Sequence, residues 1–193
     1  MSLLEAPRRI LVVKLSSFGD IIHATPCLRA LRRAYPGAVI IAAVEARWAA
    51  VLRGNPNLDR LVETSSQLRL TLGYVREIRS TLSKEGPFDL AIDLQGTRRS
   101  AAWVYLSGAC VKMGRGWPRP GWRSAVTPDL TRHAVEVCVE VCRAAGLKIK
   151  DPRPEIFPDP GAESAVQALL EVERLPPRGL ILLNPFSLWM SKS

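Results

Sequence analysis

Residues 9–37, RILVVKLSSFGDIIHATPCLRALRRAYPG, decide the fold. Arg9–Lys14 is a near-continuous apolar run between cations, the pattern of a strand covered on both faces. Over 20–35 the spacing becomes helical: Ile21, Ala24, Leu28, Leu31 and Tyr35 share one face, and Arg29, Arg32 and Arg33 another. Pro36-Gly37 stops this helix. A buried strand running into an amphipathic helix opens a βαβ unit, and the alternation repeats outward along the chain. It predicts strands at Ala38–Val44, Arg60–Val62, Phe88–Leu94 and Cys110–Met113. Helices are predicted at 46–54, 67–85, 98–107 and His133–Gly146. Right-handed crossovers between such strands give an α/β fold, a Rossmann-like parallel sheet with helices on both faces. The usual strand order, 3-2-1-4-5, makes strands one and four neighbours where the order reverses, and ligands bind outside the carboxyl ends of the strands there.

Further along, Gly114–Leu130 is rich in Pro, Gly and Trp and reads as a long irregular loop of the kind that is functional or mobile. Residues 150–161, with Pro152, Pro154, Pro158 and Pro160, read as an extended linker. After it come a helix at 162–173, a break at Pro176-Pro177 and a strand at Gly179–Leu183. The expected organisation is a Rossmann-like domain at 1–150, a linker and helix at 151–178, and at 179–193 the start of a second α/β domain.

Composition narrows the class. Of 193 residues, 47% are hydrophobic and 23% charged, the balance of a folded domain and not of a disordered tail. No uncharged apolar run approaches the ~18 residues of a membrane-spanning helix. The N-terminus has no apolar stretch ahead of a small-residue cleavage site, so a cytoplasmic location is expected. Four cysteines do not make a disulfide framework; Cys138 and Cys142 share a helix face with Val135 and Ala145 and read as core. With His23 and His133 the only histidines, a structural zinc is excluded. The net charge of +9 asks for an anionic partner. Between residues 97 and 132, Arg98, Arg99, Lys112, Arg115, Arg119, Arg123 and Arg132 face Asp129 alone, with Trp103, Trp117 and Trp122 among them. That stretch suits nucleic acid, a phosphorylated sugar or an anionic lipid head group, or it is a solvated basic loop over packed tryptophans.

The chemistry-bearing segment is Lys14-Leu-Ser-Ser-Phe-Gly-Asp-Ile-Ile-His23, the turn from the first strand into the first helix. It lacks both G-x-G-x-x-G and G-x-x-x-x-G-K-[ST], so neither a dinucleotide fingerprint nor a phosphate-binding Walker loop is present. Ser16, Ser17 and Gly19 still offer hydroxyls and amides at a helix N-terminus, where an anion is favoured, and Lys14 adds a cation. Asp20 is either the helix N-cap or, if Thr25-Pro26 begins the main helix, a general base facing the crevice. His23, one turn on, is a half-buried partner or a participant in the site. Asp93 and Gln95, at the end of the fourth strand, face the same crevice or hold their own loop.

These residues resemble a known family. Arg9–Arg33, with its Ser-Ser-x-Gly-Asp-x-x-His core, resembles the N-terminus of the ADP-heptose:lipopolysaccharide heptosyltransferases of glycosyltransferase family 9, in a form nearer type I than type II. Asp93-Leu-Gln-Gly96 with Ser100-Ala101 resembles the second motif of that N-terminal domain, and His133-Ala-Val-Glu136 a helix start found there. Asn184-Pro-Phe-Ser187 through Lys192 resembles the first motif of the C-terminal domain. The resemblance implies the N-terminal half of a two-domain GT-B glycosyltransferase, with an acceptor-binding first domain. It implies an inverting transfer of heptose from ADP-heptose to Kdo-lipid A at the inner membrane face, with no cofactor and no nucleic acid. Asp20 would be the general base. Lys14, Ser16, Ser17, Gly19, His23, Asp93, Gln95, Arg115 and His133 would contact substrate, and Ser187 and Lys192 the donor phosphates. Because the family continues well past the Lys192 motif, the 193-residue chain alone is expected to be inactive. The rival expectation is a non-enzymatic basic module for anionic glycolipid or nucleic acid, built on the 97–132 stretch.

Overall fold

Six strands form one all-parallel sheet: β1 (Arg9–Val13), β2 (Val39–Glu45), β3 (Arg60–Thr64), β4 (Leu90–Asp93), β5 (Val111–Arg115) and β6 (Ser124–Val126). Their order is β3-β2-β1-β4-β5-β6, with β1 between β2 and β4 at the reversal point. This computed structural model describes residues 7–65, 70–116, 119–127, 129, 131–176 and 178–183. The helices are α1 (Phe18–Ala34), α2 (Leu72–Glu85), α3 (Arg98–Leu106), α4 (Ala134–Ala144) and α5 (Pro160–Val172), and a 3-10 turn follows β2 at Ala46–Val51.

The apolar run of β1 is needed because both faces of the sheet are covered. Ile10 and Val12 pack into a core with Ile21, Leu28 and Leu31 of α1 and Cys138, Val141 and Cys142 of α4. Leu11 and Val13 point the other way, to Tyr74, Ile78 and Leu82 of α2 and to Trp103 and Val104 of α3. Cys138 and Cys142 are core residues, as the helical spacing predicts, and burial pushes the Cys138 thiol up to about 11, away from nucleophilic use.

Three expectations need correction. α1 does not restart at Thr25-Pro26; it runs unbroken from Phe18 through Pro26. Proline leaves the Ile22 carbonyl without its helical donor, and the Thr25 hydroxyl donates to that carbonyl at 2.8 Å in its place. The loop read at Gly114–Leu130 contains β6 and the last two residues of β5. β6 is three half-buried residues at the sheet edge, too short for any periodicity to register. The strand read at Gly179–Leu183 pairs with no strand among the described residues; without a hydrogen-bonded neighbour an apolar run has no ladder to join.

The chain divides into two units, Met1–Phe157 and Pro158–Ser193. In the first, part of the proline-rich stretch is fastened down. Arg29 donates to Glu155 and to the carbonyls of Asp151 (2.7 Å) and Arg153 (2.9 Å), Asn57 donates to Glu155 at 2.9 Å, and the Glu155 amide donates to the Thr25 hydroxyl. In the second unit, Asp159 caps α5 by accepting from the Gly161 amide, and no α5 residue is buried.

Candidate functional site

The turns after β1 and β4 meet at the carboxyl edge of the sheet, as the strand order predicts. The Ser16 amide donates to Gln95 Oε1 at 3.3 Å, tying one turn to the other; the Ser16–Ser17 peptide is cis. A cavity of about 300 Å³ lies there, lined by Leu15, Ser16, Gln95, Thr97, Arg98 and Arg99.

Asp93 anchors this corner. It is fully buried; Oδ1 accepts the amides of Gln95 and Gly96, both at 2.9 Å, and Oδ2 accepts the Ser100 hydroxyl at 2.9 Å. Arg119 stands 3.7 Å from Oδ2. Burial pushes the Asp93 carboxyl above its ordinary range, against the Gly96 amide, the Ser100 hydroxyl, the Gln95 amide and the Arg119 charge. With no exposed surface, Asp93 holds its loop and does not itself line the crevice, so of the two expectations for it the loop-holding one fits the structure.

Asp20 occupies the third position of α1, and Ser17, not Asp20, is the N-cap. Asp20 Oδ2 accepts from the Ser17 hydroxyl at 2.7 Å and the Ser17 amide at 3.2 Å, one arm of a capping box. Oδ1 accepts no hydrogen bond among the described residues, and the side chain is half-buried. Burial raises its pKa, but the Ser17 hydroxyl, the Lys14 charge, the Ser17 amide and His23 together hold it below the usual carboxylate range. The group is therefore ionised at neutral pH, with one oxygen fixed and the other open. The side chain is not among the residues lining the 300 Å³ cavity. It lies beside Lys14, His23 and the second cluster they form.

That cluster joins α1 to α4. His23 and His133 meet edge to face with ring centroids 5.1 Å apart. His133 is the N-cap of α4 and accepts the Val135 amide on Nδ1 at 3.3 Å, while His23 Nδ1 is buried with no partner among the described residues. Lys14 is 5% exposed, and its amino group makes no hydrogen bond or ion pair among the described residues. Arg115 lies along Gly96, its Cγ 3.0 Å from where a Cβ on that glycine would stand, and its guanidinium has no partner among the described residues. Gly19 opens onto free space, with nothing within 4 Å of an added Cβ. Ser187, Lys192 and Trp117 lie outside the described residues.

His23 gives the site a pH signature. Burial, then the His133 charge, lowers its pKa; Asp20 pulls the other way and Lys14 adds to the lowering. The unfolded imidazole titrates near ~6.5, so between that value and the lower folded one the unfolded chain binds the extra proton. Stability should fall as pH drops below ~6.5. Urea midpoints at pH 7.5 and 5.5, conditions chosen to straddle about that value, check this: the difference should shrink in His23→Gln. Asp20, lowered instead from a carboxylate value, contributes only at more acidic pH.

The basic stretch is less free than its composition suggests. Arg99 pairs with fully buried Glu45 at 3.1 Å, Arg119 with Asp93, and Arg132 with Glu140 at 2.6 Å. Trp103 is fully buried and donates to the Tyr74 hydroxyl at 3.0 Å; Trp122 sits against Tyr105 and Arg119. A continuous stacking platform for nucleic acid is absent among the described residues. Sequence reasoning placed Arg98 and Arg99 in the patch but not in the site, although they stand in the first turn of α3, where cations oppose the helix dipole. That misfit is the signal that marks them. Glu45 had none, since only sheet register brings the end of β2 toward α3.

No family model matches the chain. Among curated proteins it is similar to lipopolysaccharide heptosyltransferase 1 of Salmonella typhimurium, 29% identical over 115 residues, which are 56% of this chain and 36% of that protein. The protein of the same name from Pseudomonas aeruginosa is 37% identical over 103 residues, 50% of this chain and 28% of that one. The match thus spans about a third of the length of these relatives. Among solved structures, a glycosyl transferase family 9 protein from Veillonella parvula superposes with a TM-score of 0.76 at 23% identity, over 88% of this chain and 51% of that one. E. coli heptosyltransferase WaaC with ADP superposes at 0.57 and 25% identity, over 78% of this chain and 50% of that one.

Proposed function

We propose that this chain is the acceptor-binding half of a glycosyltransferase that moves heptose from ADP-heptose to the Kdo-bearing inner core of lipopolysaccharide. The observation that carries the reading is Asp20: a carboxylate ionised at neutral pH, with Oδ2 fastened by Ser17 and Oδ1 accepting no hydrogen bond, beside a Lys14 amino group with no partner among the described residues, in a segment that resembles the heptosyltransferases.

The chemistry follows from that arrangement. Oδ1 of Asp20 takes the proton of an acceptor hydroxyl as the hydroxyl oxygen attacks the anomeric carbon. The bond from that carbon to the diphosphate oxygen breaks, ADP leaves with the electron pair, and attack from the opposite face inverts the configuration. Lys14 and Arg115 supply positive charge for the acidic acceptor sugar, the His23 and His133 rings stand beside them, and Ser16, Gly19 and Gln95 shape the crevice. Ser187 and Lys192 are assigned to the donor diphosphate, whose departing charge they would stabilise. In this reading residues 1–150 are the acceptor domain, 151–178 a linker and helix, and 179–193 the first part of a donor-binding domain. The protein would work in the cytoplasm, at the inner membrane face where its lipid acceptor lies.

Calorimetric titration of the chain with the deacylated sugar head group of Kdo-lipid A tests the acceptor site. Lys14→Met is expected to weaken binding by about tenfold or more, the worth of a hydrogen bond to a charged group. The same change should raise the melting temperature, because it removes a nearly buried charge with no partner among the described residues and keeps the side-chain volume. Equal affinity in the wild type and in both Lys14→Met and Arg115→Met would contradict the reading.

A further inference from the structure

We propose that the α2–α3 face of the first unit is a docking surface for an anionic lipid bilayer, which presents the crevice to a membrane-borne acceptor. The proposal rests on the lipid-acceptor reading above for its purpose and is tested without turnover.

Between α2 and α3 runs an apolar groove of about 690 Å³, walled by Leu70, Val75, Ala101, Ala102, Tyr105 and Leu106. Arg98 and Arg119 stand in its polar lining, and Arg98 also lines the crevice cavity, so groove and crevice adjoin. Both helices follow strands of the parallel sheet, so their first turns lie at its carboxyl edge, beside the candidate site. α2 turns Tyr74, Ile78 and Leu82 inward, and that face accounts for its packing. Leu72 lies off that face and is 81% exposed; Leu70 is 49% exposed and Tyr105 42%. Single exposed leucines are ordinary, but Leu70 and Tyr105 line one groove, and Leu72 follows Leu70 by two residues at the start of α2.

Charge says what covers them. Arg76, Arg79 and Arg98 are exposed and make no ion pair or hydrogen bond among the described residues. The acidic groups of α2 are engaged: Glu77 accepts from Thr64 and Ser65, and Glu85 pairs with Arg60. The face thus offers hydrocarbon and uncompensated positive charge together, complementary to acyl chains beneath a layer of phosphates. Arginine suits this boundary, its stem lying along apolar surface while its head reaches phosphate. Leucines give no plane for stacking bases, and the Tyr105 ring already lies 5.8 Å from Trp122, which favours a bilayer over nucleic acid. Contact would be peripheral, since no helix among the described residues is long and apolar enough to cross a membrane.

Cosedimentation of the full chain with phosphatidylcholine vesicles, with and without phosphatidylglycerol, tests this. Binding is expected only with phosphatidylglycerol and should weaken with salt. Arg76→Gln/Arg79→Gln/Arg98→Gln should reduce partitioning by on the order of 100-fold, about fivefold per arginine. Leu70→Ser/Leu72→Ser should reduce it by about tenfold or more. Arg143→Gln/Lys148→Gln, on α4 and just beyond it, should leave it unchanged. All these side chains are exposed, so an unaltered circular dichroism melt is expected for each variant. Vesicle binding that is absent, indifferent to phosphatidylglycerol, or equally reduced by the α4-side pair would overturn the proposal. So would vesicle-independent self-association, or single-stranded DNA binding lost with the same arginines, since either gives the face another occupant. If transfer instead survives Asp20→Asn, the base assignment fails and the vesicle result stands by itself.

Discussion

Alanine at position 114 is expected to destabilise the first unit by about 3 kcal/mol or more, at the upper end for overpacking, and to loosen the candidate crevice with it. Gly114 lies inside β5, opposite Asp93 of β4. A Cβ there would stand 2.5 Å from the Asp93 carbonyl oxygen, 2.6 Å from its Cβ and 2.9 Å from its nitrogen. None of these is the tip of a flexible side chain that can swing aside. The strand ends must part, and the one that moves carries the carboxylate holding the Gln95 and Gly96 amides. Gln95 in turn is the tie to Ser16. Thermal melts should show a drop of roughly 6–12 °C for a domain of this size. Head-group binding should weaken even at temperatures where the variant is fully folded. A Gly114→Ala protein with unchanged melting and binding would mean that β4 and β5 are not so tightly apposed.

The same glycine shows where sequence reading stops. Read in order, Gly114 closes a strand at Met113 and opens a Pro-, Gly- and Trp-rich loop. Only the approach of Asp93 across the sheet explains why a strand should contain it. The alternation of buried strands and amphipathic helices was legible, because β1 must be apolar on both faces and α1 on one, and those periodicities are local. So was the meeting of the first and fourth turns, which follows from parallel topology. Features that depend on partners far along the chain were not. Pro26 is tolerated through a hydroxyl one residue before it, and Arg29 pins residues that read as free linker. For Asp20 the sequence posed a choice between cap and base. Neither branch holds as posed: α1 runs on through Pro26 and Ser17 is its cap, while Asp20 gives one oxygen to the capping box and the other accepts no hydrogen bond among the described residues.

That free oxygen is the second large effect. The proposed base, held below the usual carboxylate range, is a weak one, which suits a hydroxyl whose acidity rises only as its bond to the anomeric carbon forms. The Asp20→Asn change keeps an acceptor toward Ser17 and nearly the same volume, so α1 should begin as before and head-group affinity should hardly change. The amide has no oxygen basic enough to take the proton. A loss confined to the chemical step is therefore expected, and a helix-capping residue alone would not produce it.

The decisive measurement is heptose transfer from ADP-heptose to Kdo-lipid A by residues 1–183 joined to the carboxyl-terminal half of the Salmonella typhimurium relative, with and without the Asp20→Asn substitution. A fall in kcat of on the order of 10²- to 10⁴-fold, at unchanged acceptor affinity and melting temperature, is the expected result. Turnover undiminished in the Asp20→Asn protein would contradict the account.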